Sequence, residues 1–227
     1  IGPLSSLWRN ARKAKLFPEA STVLATKKLV GLNQVKINKR LGTIFLPNAN
    51  MQLDFGGIAK GYIAQWVINF LKANGIQQAL VDAGGDIVMS GAPLNQQGWL
   101  IGVNLPETTD DLLNKKLQLS NCSVATSGDV YQFIEYKGVK YSHIINPLTG
   151  YGVTNLRNVT IVAKTGATAD WLATACSILP IKEAKQLAIS HQAALLITTL
   201  KNGKLVFEAT PNFKNYWQTT NIIQGKK

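Results

Sequence analysis

An acidic residue, a glycine pair and a lysine stand together in Asp54-Phe55-Gly56-Gly57-Ile58-Ala59-Lys60-Gly61, between a strand-like run over 43–47 and a helix-like run from Ile58. Glycine lets backbone approach a neighbour or ligand closely, and a helix start offers unpaired N–H groups and a positive dipole end. The junction suits a phosphate or cation site, although a glycine pair taken alone more often marks a plain turn. It is not a Walker A loop, because the G-x-x-x-x-G-K-[ST] spacing is missing between Gly56 and Lys60. Downstream, Ile58, Tyr62, Trp66 and Phe70, with Ile63, Val67 and Leu71 offset, recur at helical spacing as far as Asn74, and Gly75 suits the C′ position. This apolar stripe is expected to face the core rather than a cofactor.

Elsewhere the pattern is mixed. Pro18 at a first helical position predicts a helix running through Val30, with Gly31 as its stop. Strands are expected over 35–38 and 43–46, joined around Leu41-Gly42, and again over 79–82, 86–89, 99–104 and 117–119. Residues 131–136 and 139–143 read as a hairpin around Lys137-Gly138. A strand over 158–163 precedes helices over about 168–179 and 181–190, and a second hairpin turns at Asn202-Gly203. Helices that follow blocks of strands point to an α+β fold rather than a doubly wound sheet.

Three further segments share the character of the first. Ala83-Gly84-Gly85-Asp86 follows a short apolar strand, and Ser123-Val124-Ala125-Thr126-Ser127-Gly128-Asp129 ends a β-rich stretch. His143-Ile144-Ile145-Asn146-Pro147-Leu148-Thr149-Gly150 then leads towards Asp170-Trp171-Leu172-Ala173-Thr174 in a helix-like run. The ordered series L-D-x-G-G-I-A-K-G-Y, A-G-G-D-I, V-A-T-S-G-D, S-H-I-I-[DN]-P-x-T-G and A-D-x-L-A-T-A resembles the ApbE family of flavin transferases, first described as thiamine-biosynthesis lipoproteins. The resemblance covers residues 54–175 and extends back to Gly2-Pro3-Leu4 and Leu7-Trp8. It implies an α+β, ApbE-like fold of two T-fold-like halves, with mixed or antiparallel sheets packed with helices. It also implies a single ApbE-like domain over 1–227 that lacks the family's N-terminal segment, where members place part of the flavin pocket and a signal or lipobox. The full-length protein is then expected in the periplasm or cell envelope, lipid-anchored outside this stretch.

The resemblance implies Mg²⁺-dependent transfer of FMN from FAD to a threonine of an acceptor protein, with release of AMP. Asp170 and Thr174 lie four apart on a helix, so both side-chain oxygens point to one side and suit a hard cation. Read from the residues alone, Asp170 equally suits the early turn of its helix through the dipole. By resemblance Gly57 offers a carbonyl to the metal, Asp170 and Thr174 offer side chains, and Ala173 sits at the rim. Asp54, Lys60, Ile144 and Asp129 are placed at the FAD, with Asp86 shaping a loop around the nucleotide. Taken singly, Asp54 and Lys60 read as a helix-start carboxylate and a solvated lysine. His143, one of two histidines, is the candidate proton acceptor, although a histidine at a strand end is commonly a structural hydrogen-bonder. The chain departs from the family pattern at Asn146, where Asp is frequent, and at Leu148, where Arg or Lys is frequent. The implied acceptor motif is D-[GS]-x-[ST]-[GS]-A-T. Thr165-Gly166-Ala167-Thr168 matches only its tail, so the acceptor is expected to be a separate protein.

Charge invites rival readings. The chain carries a net +12, and its first forty residues hold nine Lys or Arg against Glu19 alone. Such a face attracts nucleic acid or an anionic membrane, but few aromatics and no nucleic-acid motif accompany it, so a solvated basic face, favourable to a dianionic dinucleotide, is expected instead. No apolar run reaches the ~20 residues of a membrane span, and the start carries no signal peptide. Cys122 and Cys176 form no C-x-x-C pair, and Cys176 is expected to be a buried thiol. Two alternatives stand beside transfer: an FAD pyrophosphatase that uses the same metal site to give FMN and AMP, and a flavin-binding protein without catalysis.

Overall fold

The structure is a computed structural model that describes residues 1–104, 113, 115–128, 132–155, 157–202 and 204–218. The chain opens with helices α1 (Gly2–Ala14) and α2 (Ala20–Lys27) and strands β1 (Lys36–Asn38) and β2 (Thr43–Phe45). Helix α3 (Ala59–Ala73) leads to β3 (Leu80–Asp82), β4 (Ile87–Met89), β5 (Trp99–Ile101), β6 (Leu117–Leu119) and β7 (Ser123–Ser127). Strands β8 (Phe133–Tyr136), β9 (Val139–Ser142) and β10 (Arg157–Ala163) precede helices α4 (Gly166–Ile178) and α5 (Ile181–Ser190), and β11 (Ala194–Lys201) and β12 (Lys204–Ala209) follow. These elements fall into two compact units, residues 1–56 with 129–156, and residues 57–128 with 157–227.

In the first unit, Leu4, Trp8 and Ala11 recur at helical spacing and form the buried face of α1. The Trp8 ring lies 5.4 Å from Phe17, 6.0 Å from Tyr141 and 5.8 Å from Tyr151, and its Nε1 donates to the Gly150 carbonyl at 2.8 Å. This helix is not among the expected elements, because the segment stands out in the sequence for its charge and its G-P-L…L-W block. The second helix begins and ends short of the 18–30 expected: Pro18 lies ahead of its N-cap, Glu19, and its β-branched Thr22, Val23 and Thr26 are weak helix formers. The hairpin β1–β2 pairs Ile37 with Ile44, and β8–β9 turns through Lys137 and Gly138, both at positive φ as a tight hairpin turn requires.

The second unit is built on a six-stranded sheet in the order β12-β11-β10-β7-β4-β3, antiparallel throughout. The α+β expectation therefore matches the architecture. Both faces of β10 are covered, which is why every residue along it is buried. Val159 and Ile161 point to α4 and α5, meeting Leu172, Cys176, Ala184 and Ala188. Val162 points the other way with Leu196, towards Leu117, Leu119 and Phe213.

Helix α3 overturns one expectation. Its buried face is Gly61, Ala64 and Ile68, whereas Tyr62, Trp66 and Phe70 are 62%, 61% and 55% exposed. The large apolar stripe is not core within this chain. Gly61 faces inward because the partner helix, α4, passes so close there that no side chain fits.

Candidate functional site

Two glycines fix the approach of α3 to α4. A Cβ on Gly61 would lie 2.1 Å from the Gly166 carbonyl oxygen, and one on Gly166 would lie 2.1 Å from that of Gly61. Neither position admits a side chain without pushing the helices apart. At this crossing each helix caps the other. Gly61 is the third residue of α3, so its N–H lacks a partner within the helix, and it donates to Asp170 Oδ2 of α4 at 3.0 Å. In return, Gly166 at the start of α4 donates its N–H to Gln65 Oε1 of α3 at 3.0 Å. Thr165 adds a local cap, its Oγ1 accepting from the Thr168 N–H at 3.3 Å. Asp170 is 4% exposed, and its carboxylate faces the positive end of a helix dipole that belongs to α3 rather than to its own helix.

One turn further along α4, Thr174 lies against Gly57. A Cβ on Gly57 would come within 3.1 Å of Thr174 Oγ1, so glycine lets the main chain lie directly against this hydroxyl. Ser127, at the end of β7, reaches the same atom with its Oγ at 3.4 Å. Gly57 thus lies against Thr174, and Asp170, one turn away on the same helix, is bound to Gly61; spacing alone pairs only Asp170 with Thr174. Among the described residues no three His, Cys, Asp or Glu side chains gather as a metal cluster, and the side-chain donors here are instead one carboxylate and hydroxyls, with the Gly57 main chain against them. Such a set suits a hard cation that keeps water and substrate oxygens as its other ligands. Ala173, expected at the rim, is buried among the core residues of α4, and its carbonyl accepts from the Ser177 hydroxyl at 2.9 Å.

Lys60 points to a partner that sequence reading underrated. Its Nζ lies 2.6 Å from Asp86 Oδ2 and 3.4 Å from the Gly84 carbonyl. Asp86 is 3% exposed. Burial pushes its carboxyl above the usual carboxylate range; Lys60 opposes this, and the nearby charge of Asp170 adds to it. The turn that carries Asp86 is tight, with Gly84 and Gly85 at φ 67° and 91° and the Gly85 N–H bonded to Asp82 Oδ1 at 2.7 Å. Only a positive-φ glycine pair closes this turn so sharply, and that was the signal available in A-G-G-D.

The remaining candidates belong to the first unit. Asp54 Oδ1 accepts from the Gly56 N–H at 2.8 Å and Oδ2 lies 3.7 Å from the Arg9 guanidinium, so this carboxylate shapes its own loop. His143 is half-buried, its N–H donating to the Gln132 carbonyl at 2.8 Å. The Ile144 side chain is buried, and its N–H is held by Ser142 Oγ at 2.9 Å. Asn146 Oδ1 accepts from the Leu148 N–H at 2.9 Å, a role an amide fills as well as a carboxylate, so the departure from Asp leaves the turn intact. Leu148 is 79% exposed. Asp129 lies outside the described residues. A cleft of about 330 Å³ beside Gln65, Asn69, Lys72 and Lys164 includes none of the predicted site residues.

The ApbE family model matches residues 1–197. The FAD:protein FMN transferase of Treponema pallidum is 39% identical over 146 residues, covering 60% of this chain and 40% of that protein. The FAD:protein FMN transferase of Vibrio cholerae is 28% identical over 221 residues, covering 95% of this chain and 65% of its own length. The chain therefore spans between two fifths and two thirds of these curated relatives. Among solved structures, the flavin transferase ApbE from Vibrio cholerae superposes with a TM-score of 0.83 at 28% identity, over 95% of this chain and 69% of that one. The ApbE protein from Thermotoga maritima gives 0.83 at 28% identity, over 96% and 71%. A family match over most of the chain shows that this chain belongs to the ApbE family.

Proposed function

We propose that the protein to which this chain belongs is an FAD:protein FMN transferase that requires Mg²⁺. The observation that carries the reading is the packing of Gly57 against Thr174, one helical turn from the buried Asp170 that is bound to Gly61, in a chain of this family. Gly57, through its main chain, and Asp170 and Thr174, through side-chain oxygens, would hold the cation. Bound there, Mg²⁺ would supply charge neutralisation at the pyrophosphate of FAD. The chain's own residues orient and exclude: Gly61 fixes one Asp170 oxygen, Ser127 fixes the Thr174 hydroxyl, and buried surroundings keep Asp170 from bulk water.

In the proposed reaction the Oγ of an acceptor threonine attacks the flavin-side phosphorus of FAD. The bond from that phosphorus to the bridging oxygen breaks, AMP leaves with that oxygen, and the threonine proton passes to a base. Threonine is a poor nucleophile until it loses that proton, and His143 is the proposed acceptor of it. The acceptor is a separate protein carrying D-[GS]-x-[ST]-[GS]-A-T, and the proposed setting is the periplasm or cell envelope. AMP release from FAD, measured with and without acceptor, tests the reading. Transfer predicts AMP in step with modified acceptor. AMP formed equally without acceptor favours the pyrophosphatase, and FAD bound without any AMP favours a binding protein.

A further inference from the structure

Asp86 and Lys60 form an ion pair whose geometry goes beyond shaping a loop. The turn between β3 and β4 presents two acceptors to one ammonium, the Asp86 carboxylate at 2.6 Å and the Gly84 carbonyl at 3.4 Å. The turn itself is braced, with the Ala83 N–H bonded to the Asp86 carbonyl at 3.0 Å and the Gly85 N–H to Asp82 Oδ1 at 2.7 Å. Lys60 immediately precedes Gly61, whose N–H is bound to Asp170. A long, flexible lysine in the first turn of α3 thus starts one residue from the carboxylate that the proposed function assigns to a cation. Left without a partner, its ammonium would compete for that carboxylate or repel a dication beside it.

We propose that Asp86 is a positioning residue that neutralises Lys60 and holds its ammonium on the β3–β4 turn, leaving Asp170 as the uncompensated negative charge for a divalent cation. The proposal rests on the reading of Gly57, Asp170 and Thr174 as the cation site. The charge count follows directly. With both partners present the pair is neutral towards the site. Removing the Asp86 charge adds a stray positive charge, and removing the Lys60 charge adds a stray negative one.

Calorimetric titration of the chain with Mg²⁺ and with Mn²⁺ tests this on the wild type, Asp86→Asn, Lys60→Gln and the double variant, each first checked by thermal melting. Asp86→Asn weakens cation binding by about tenfold or more, within the range for outer partners of a metal site. Lys60→Gln binds at least as tightly as the wild type, and the double variant returns to within a few-fold of it. A purely structural Asp86 would not make the two single changes act in opposite directions, nor let the second repair the first. Should Asp86→Asn fail to fold, the exposed Lys60→Gln change still decides the matter, because weaker binding in that variant overturns the proposal. Equal weakening in both single variants, or no change in Asp86→Asn, also overturns it while leaving the cation site standing. Absence of cation binding to the wild type overturns the site and this proposal together.

Discussion

Replacing Asp170 separates two roles that share one carboxylate. Asp170→Ala removes the acceptor of the Gly61 N–H from a buried crossing. An unpaired buried N–H costs about 1–3 kcal/mol, and loss of a carboxylate at a partly buried helix start costs up to about 2 kcal/mol more. Relief of the repulsion between Asp170 and Asp86 offsets part of this. The net is about 2–3 kcal/mol, a fall in Tm of roughly 4–12 °C for a chain of this size. Asp170→Asn keeps an amide oxygen for Gly61 but loses the charge, so it should melt within a few degrees of the wild type. Both variants should lose divalent-cation binding and FMN transfer. Circular dichroism melts beside a Mn²⁺ titration read the two effects separately. Equal melting of Asp170→Ala and wild type would refute the reciprocal cap, and a wild-type cation affinity in Asp170→Asn would refute the metal role.

Gly61→Ala should destabilise by about 1–3 kcal/mol as overpacking does, because its Cβ meets the Gly166 carbonyl; a free helix would instead gain nearly 1 kcal/mol from the same change, so the sign seen in a urea melt decides. Asp54 ionises below its ordinary value of 3.8: burial would raise it, but the Gly56 N–H, the Ser5 hydroxyl and Arg9 outweigh burial. Its stabilising contribution is complete above that ordinary value and is lost as pH falls through the lower folded one, so the Tm deficit of Asp54→Asn should shrink on acidification below about pH 4. Thr168, whose hydroxyl accepts from Thr165 Oγ1 at 2.8 Å inside the cap of α4, should remain unmodified when the chain alone is incubated with FAD and Mg²⁺, as intact-mass measurement will show.

The parts of this site that were legible in the sequence are those set by local spacing. Asp170 and Thr174 face one way because helical geometry makes them, and the A-G-G-D turn announces its positive-φ glycines. What spacing could not supply is the partner. Gly61 and Asp170 stand 109 residues apart, and nothing in either neighbourhood says that one helix start is capped from the other helix. The same limit explains the misjudged face of α3. Periodicity finds its apolar stripe at Tyr62, Trp66 and Phe70, but the choice of inward face was made by Gly61 and Gly166, whose smallness carries no hydrophobic signal. In α1, Leu4, Trp8 and Ala11 have helical spacing, yet Arg9, Arg12, Lys13 and Lys15 make charge the stronger signal and leave the aromatic cluster Trp8 enters without one.

The most direct test of the account is the intact mass of an acceptor protein bearing the D-[GS]-x-[ST]-[GS]-A-T motif, after incubation with this protein, FAD and Mg²⁺. The account predicts a gain of one FMN less one water, mapped by fragmentation to the motif threonine and matched by an equal amount of AMP. An unmodified acceptor in the presence of bound FAD and Mg²⁺ would contradict it.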